Sequence, residues 1–477
     1  MGRGERVSEV VELTKAPTRI VGLDEVLHGG IPRDRITLIR GGSGSGKTVM
    51  GLEFLYRAAL EGEPGIMVAF EEGGRNIRQN ALSFGWDLEP LEKAGKFFLW
   101  DVKIDRDTVL SGDFSIAPLL AGIEGKARQM GARAVMIDAI DALLRVFSDP
   151  SRRLNELYGL HDWLAKQPFT TILTTKAADQ VDHGLQYEFL DYMADCVLLL
   201  DLRVRDQVTT RRLRIVKYRG SGFCSNEYPY LVTSQGSVVM PITRVQLEGK
   251  PFGGYIPSGS AEFDEALGGG LRRRSNVLIS GVSGTGKTTM AATFAIAACS
   301  AGEKVLFVDF EESQEMVVQA MLSPGLDLRP VLKAGRLEFY TIMPEALSPE
   351  EHLYELGRRI ERLDPDHLVI DAISACPRMG SDEAAFDFLV RLLDICRRRG
   401  VTCVMTHQSR SPAQIHVVAG IPVSSLTDAL IHLGFKETDG ERTRTLRVIK
   451  SRGAKHSHRR HEFQITDRGI QIEETRA

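Results

Sequence analysis

Little in this chain of 477 residues is out of balance, and the scarcities come first. Neither sign of charge is in excess: 60 basic side chains face 63 acidic ones, a formal net charge of −3. No global field therefore draws in nucleic acid or anionic lipid, and any such binding would need a local patch. Cysteine is sparse, at 196, 224, 299, 376, 396 and 403, with no C-x-x-C spacing. These read as reduced, mostly structural thiols. Uninterrupted apolar runs fall short of the roughly 18 residues that cross a bilayer. The opening Met1-Gly2-Arg3-Gly4-Glu5-Arg6 offers no apolar leader. The expectation is a soluble, cytoplasmic protein without a membrane partner. The apolar fraction of 43% is ample for globular cores, and the length allows roughly two to four domains.

Glycine is plentiful, with 46 residues, and some of it writes one phrase twice. Gly41-Gly42-Ser43-Gly44-Ser45-Gly46-Lys47-Thr48 returns 240 positions later as Gly281-Val282-Ser283-Gly284-Thr285-Gly286-Lys287-Thr288. Both satisfy the P-loop pattern in full. Each follows a short apolar strand, ending at Ile39 and Ser280, and opens into a helix-forming run. Glycines let backbone N–H groups turn inward around phosphates, and the helix N-terminus adds its positive dipole end. The Lys reaches the β/γ-phosphates, and the Thr hydroxyl ligates Mg2+. Two aligned copies exclude a chance glycine-rich turn. ATP and Mg2+ are the expected ligands.

The repeat extends further. Leu23-Asp24-Glu25-Val26-Leu27 is echoed by Phe263-Asp264-Glu265-Ala266-Leu267, and Phe70-Glu71-Glu72 by Phe310-Glu311-Glu312, all at an offset of 240. Beyond a seven-residue length difference, Ile137-Asp138 matches Ile370-Asp371, and Lys217-Tyr218-Arg219-Gly220 matches Lys450-Ser451-Arg452-Gly453, at 233. Alternating apolar strands and helical patterns predict an α/β fold of two tandem P-loop NTPase domains, each a mostly parallel twisted sheet flanked by helices. The Pro- and Gly-rich stretch around 241–260 is the expected boundary, giving domains of 1–245 and 246–477.

Glu71-Glu72 and Glu311-Glu312 close a strand at the carboxyl edge of the sheet, where open α/β folds bind ligands. One carboxylate there can orient or deprotonate the nucleophile that attacks the γ-phosphate. A solvated turn is the alternative, and the repetition favours catalysis. Asp138 and Asp371 end buried apolar strands and fit the Mg2+ shell, while an N-cap is the plainer role. Lys217, Arg219, Lys450 and Arg452 stand late in each copy. Basic residues on an edge strand commonly only discourage aggregation. In ring-forming P-loop ATPases such residues cross the subunit interface and stabilise charge on a neighbour's phosphoryl group, which implies a homo-oligomer.

With these elements in this order, the chain resembles the KaiC family, circadian clock ATPases of the RecA/DnaB superfamily, from about Pro17 to Asp467. The phrases Ser83-Phe84-Gly85-Trp86-Asp87-Leu88, Thr174-Thr175 and Arg212-Leu213-Arg214-Ile215 agree. The resemblance implies RecA-like domains, a double-ring hexamer with ATP between protomers, a slow ATPase in the first domain and a Ser/Thr autokinase in the second. It also implies that Lys47, Thr48, Lys287 and Thr288 bind phosphate and magnesium. Glu71, Glu72, Glu311 and Glu312 would supply catalytic carboxylates, and Lys217, Arg219, Lys450 and Arg452 would contact the neighbour's nucleotide. The phosphoacceptor segment matches Val423-Ser424-Ser425-Leu426-Thr427-Asp428, giving Ser424 and Ser425 as acceptors, whereas the first domain has Asp191-Tyr192 there. Ser425-x-x-Asp428 also reads as a turn before the strand at 429–433.

Two departures stand out: Ala419 where the family carries a threonine, and an end at Ala477 without the extended tail that engages KaiA. A KaiA-driven oscillator is therefore not expected, whereas a KaiB-like or other signalling partner remains open. The basic tract from Lys450 to His461 contains His456, His458 and His461, and phosphate contact fits it better than metal binding. The helix expected near Pro150, with Arg152, Arg153 and Trp163, reads as an amphipathic surface helix. Two other functions stay open. A DNA-binding motor would need basic channel loops, and the best candidate, 406–420, carries only Arg410. A nucleotide-gated scaffold would need no catalytic set.

Overall fold

The structure, a computed structural model, describes residues 13–103, 115–147, 149–176, 185–205, 208–241, 250–409, 417–418, 421–422, 425–438 and 440–472. The chain parts near residue 242 into two compact units.

In the first unit the sheet strands are β1 (Ile36–Gly41), β2 (Gly65–Ala69), β3 (Phe97–Asp101), β4 (Ala134–Asp138), β5 (Thr170–Lys176), β6 (Cys196–Arg205), β7 (Val208–Tyr218), β8 (Glu227–Thr233) and β9 (Gly236–Val239). They form one nine-stranded sheet in the order β9-β8-β7-β6-β1-β5-β4-β2-β3. The pairs around β1, β2 and β4 are parallel, and β7-β8-β9 close the sheet antiparallel. The longer helices are α1 (Lys47–Leu60), α2 (Gly74–Ser83), α3 (Ala117–Met130), α4 (Pro150–Leu164) and α5 (Leu185–Met193). Helices on both faces explain why β2 is buried along its whole length and reads as a continuous apolar run. As expected, α4 is amphipathic. Asp149 caps its start by accepting from the Ser151 amide, and Leu157, Leu160 and Leu164 face inward.

The second unit repeats the plan with β10 (Asn276–Gly281), β11 (Val305–Asp309), β12 (Leu337–Thr341), β13 (His367–Asp371), β14 (Thr402–Gln408), β15 (Ala429–Thr438), β16 (Glu441–Ser451), β17 (Arg460–Thr466) and β18 (Gly469–Ile472). Their order, β18-β17-β16-β15-β10-β14-β13-β11-β12, matches the first sheet strand for strand. The helices used below are α6 (Lys287–Ser300), α7 (Gln314–Leu322), α8 (Pro349–Leu363) and α9 (Asp382–Arg399). A full capping box between Ser348 and Glu351 starts α8. The fold is thus a tandem pair of mostly parallel, helix-flanked P-loop domains.

Lys217 and Lys450 lie on β7 and β16, and each strand has a neighbour on both sides.

Candidate functional site

In both units β1 or β10 delivers the glycine-rich loop to the carboxyl edge of the parallel strands, and α1 or α6 starts directly behind it. Gly46 and Gly286 hold the turn into the helix with φ of 98° and 96°, backbone that glycine adopts without penalty. A Cβ on Gly46 would stand 2.5 Å from the Tyr230 hydroxyl. No side chain caps either helix start, leaving first-turn N–H groups for an anion.

In the first site Lys47 Nζ donates to the carbonyls of Gly41 and Gly42, both at 2.9 Å. Burial pulls the ammonium below the ordinary lysine range, and the charges of Asp138, Asp141 and Glu71 oppose that shift. Thr48 Oγ1 donates to Asp138 Oδ2 at 2.8 Å, and Thr174 on β5 donates to the other oxygen. Burial raises the Asp138 carboxyl, countered by these two hydroxyls. Glu71 pairs with Lys176 at 3.3 Å, and Glu72 accepts from Asn80 Nδ2 at 2.7 Å. Burial, then the Asp138 charge, pushes Glu72 up, the direction that suits a proton acceptor. The structure thus gathers Lys47, Thr48, Asp138, Glu71 and Glu72 around one loop.

The second site is built alike but charged differently. Lys287 Nζ donates to Val282 O at 3.0 Å and is lowered by burial. Thr288 follows it in the first turn of α6. Thr406 on β14 hydrogen-bonds Asp371, as Thr174 does Asp138. Asp309, at the end of β11, accepts the amides of Glu311 and Glu312 at 2.8 and 2.7 Å. Its own carboxyl is pushed to about 7, chiefly by burial and also by Asp371. His407 is held to about 4 by burial and the Lys287 charge, with Nδ1 3.4 Å from Ser280 Oγ.

Four of these neighbours escaped the sequence reading: Asp141, Lys176, Asp309 and His407. Asp309 had a visible signal, an acid inside the otherwise apolar Leu306-Phe-Val-Asp-Phe310 where the first copy has Ala69. Asp141 accepts from Thr175 Oγ1 and the Lys176 amide at 2.8 and 2.6 Å, and its place rests on strand pairing that no local pattern reveals.

The basic residues contact a different part of each unit. Lys217 Nζ donates to Asp191 O and Tyr192 O at 2.6 and 3.2 Å, and Arg219 to Tyr192 O at 2.9 Å. Lys450 Nζ donates to Thr427 O at 2.6 Å, and Arg452 lies 3.5 Å from Asp428. Ser425 is exposed in a single turn before β15. Ser424, Ala419 and the loop carrying Arg410 lie outside the described residues. Thr406, His407 and Gln408 belong to β14.

Among the described residues no group of three His, Cys, Asp or Glu side chains could hold a metal alone. A hydroxyl and one carboxylate in contact, as Thr48 and Asp138 are, fit a Mg2+ ion whose other ligands are phosphate oxygens and water. No helix among the described residues is long and apolar enough to cross a membrane.

The family model for the KaiC ATPase matches residues 16–244 and again 256–477. Circadian clock protein KaiC2 of Synechocystis is 34% identical over 98% of this chain and 82% of its own length. The circadian clock oscillator protein KaiC of Synechococcus elongatus is 31% identical, covering 98% of this chain and 91% of its own. KaiC3 of Synechocystis is 30% identical over 96% and 92%. With two P-loop sites of one geometry on two matched sheets, the chain belongs to the KaiC family of ATPases.

Proposed function

We propose that this KaiC-like ATPase works as a signalling or timing switch, a ring of six chains whose second domain, 246–477, phosphorylates its own serine, while the first, 1–245, hydrolyses ATP slowly. In both sites Lys47 or Lys287 and the loop amides of Gly41, Ser43, Gly44, Ser45 and Gly46, or Gly281, Ser283, Gly284, Thr285 and Gly286, hold the phosphates. Thr48 with Asp138, and Thr288 with Asp371, would hold Mg2+, which would supply positive charge against the phosphates. A glutamate of Glu71/Glu72 or Glu311/Glu312 takes the proton from the attacking water or serine hydroxyl, whose oxygen bonds the γ-phosphorus as the bond to the β–γ bridging oxygen breaks, and ADP leaves with that oxygen.

The observation that carries the kinase reading is the tie between acceptor segment and basic residues. Lys450 binds the carbonyl of Thr427, two residues beyond exposed Ser425. A subunit edge that offers Lys450 and Arg452 to a neighbour's phosphates would offer Ser424 and Ser425 with them. In the first domain Lys217 ties down Asp191 and Tyr192 instead, neither of them a Ser or Thr acceptor. Six free cysteines fit a cytoplasmic setting, and a KaiB-like protein is the kind of partner we expect.

Phosphopeptide mass spectrometry after incubation with Mg·ATP tests this. Phosphate is expected on Ser424 or Ser425, and is lost in Glu311→Gln/Glu312→Gln with assembly intact. An unmodified wild-type chain that still hydrolyses ATP would refute the kinase.

A further inference from the structure

At the end of the first sheet opposite the P-loop lies a cavity of about 220 Å³, lined by Phe54, Pro64, Ala134, Arg33, Glu63 and Arg133 among others. The duplication supplies the comparison that gives it meaning. Ala134 begins β4 and pairs with Gly65 and Thr170, and His367 begins β13 and pairs with Val305 and Thr402 in the same register.

In the second domain this place is filled by the chain itself. The fully buried His367 ring stands edge-on to Phe294 at 5.2 Å, the counterpart of Phe54. His367 Nε2 lies 2.6 Å from Glu303 Oε2, and Arg273 holds the other oxygen at 2.5 Å. Lys304 reaches across to Leu363 O at 3.0 Å. The first domain keeps the acid, the arginine and the phenylalanine as Glu63, Arg33 and Phe54. It has Ala134 in place of His367, Pro64 in place of Lys304 and Gly131 in place of Asp364.

The polar groups left there are incompletely matched. Glu63 Oε1 accepts from Arg19 at 3.0 Å, but Oε2 stands a loose 3.7 Å from Arg33. Arg133 has no ion pair or side-chain hydrogen bond among the described residues. An apolar wall, one carboxylate oxygen with spare capacity and one unmatched guanidinium define a polarised small-molecule site.

We propose that this cavity binds a small planar nitrogen heterocycle bearing an oxyanion. Its ring stands against Phe54 where His367 stands in the second domain, its ring N–H donates to Glu63, and its oxyanion meets Arg133. The ligand supplies in trans what the second domain builds into its chain, so the first domain alone carries a small-molecule input remote from its P-loop.

Imidazole-4-acetate and neutral imidazole are suitable probes, titrated into the full chain with saturating Mg·ATP by saturation-transfer NMR. We expect saturable binding of imidazole-4-acetate, weakened at least about tenfold by Ala134→His, which supplies the ring from within. Arg133→Gln should weaken imidazole-4-acetate about tenfold, the scale of one charge-assisted hydrogen bond, and leave imidazole unchanged. Retained ATP hydrolysis reports folding of each variant. Should buried Ala134→His fail to fold, the exposed Arg133→Gln decides alone. Non-saturable binding, equal affinity in folded Ala134→His, or an unchanged imidazole-4-acetate affinity in Arg133→Gln would each overturn the site.

Discussion

The two domains share one sheet order and one P-loop, yet they distribute buried charge differently. The first surrounds its site with Asp141, Lys176 and Thr175, where the second has Ser374, Gln408 and His407. The second adds Asp309 where the first has Ala69. Behind the loop the contrast runs the other way. In the first domain the fully buried Glu53 on α1 accepts the Ser237 amide at 2.7 Å and pairs with Arg57 at 2.7 Å. Tyr230 Oη lies 3.2 Å from Ser237 Oγ and 3.4 Å from Gly46 O. The second domain has Thr293, Ile470 and Phe463 at these places, an uncharged backing. Shared backbone thus sets the loop and the helix start in both domains, and the surrounding side chains set how each site is charged.

The largest expected effect tests whether the sites act separately. Lys47→Ala and Lys287→Ala should each lower hydrolysis at their own site about 10³-fold, the cost of a cation on transferring phosphate. Radiolabelled ATP turnover on each single variant and on the double would show the partition. If either single variant abolished turnover at both sites, the comparison would collapse into one coupled machine. Light scattering on Lys47→Ala should also show weaker ring assembly if first-domain ATP bridges protomers.

Next in size is Glu53→Ala, which leaves the Ser237 amide buried and Arg57 without its acid. We expect a loss of about 3 kcal/mol in denaturant unfolding. Thr293→Ala, at the matching place, gives up one hydroxyl bonded to Thr289 O and should cost under about 1 kcal/mol.

Asp309 and His407 sharpen the contrast through pH. With its folded pKa raised from 3.8 to about 7, Asp309 contributes stability that is fully present below pH 3.8 and lost as pH rises through 7. His407, lowered from 6.5 to about 4, contributes stability present above pH 6.5 and lost as pH falls through 4. The two slopes oppose each other in one window. Removing the acid leaves the histidine slope uncovered, so Asp309→Asn should gain stability over wild type as pH rises from 4 to 7. The gain should be on the order of 2 kcal/mol. Parallel pH profiles for variant and wild type would refute the assignment. Ala69 and Thr175 give the first domain neither slope.

How much of this was legible beforehand follows from where the information sits. Lys47, Thr48, Glu71 and Asp138 stand in contiguous phrases whose chemistry requires local backbone, so motif and strand ends sufficed to place them together. The strand plan was equally readable, because buried parallel strands such as Ala134–Asp138 leave unbroken apolar runs. Lys176 and His407 come from β5 and β14. Their nearness to a P-loop arises when those strands pair with β1 and β10, a long-range register that no short window contains.

The smallest effect concerns the Tyr230 hydroxyl, which separates a role in stiffness from a role in phosphate binding. Tyr230→Phe installs the residue that the second domain carries as Phe463 and removes contacts of 3.2 and 3.4 Å. Such long bonds are worth little, and Ser237 can still turn its hydroxyl elsewhere, so about 1 kcal/mol of stability should be lost. ATP affinity at the first site should change less than about twofold, since Gly46 is fixed by its own backbone and by the close wall of Tyr230 carbons, which phenylalanine preserves. If affinity instead fell severalfold with stability unchanged, the hydroxyl would be aiming the Gly46 carbonyl. The polar backing of the first domain would then be part of its phosphate site rather than a support behind it.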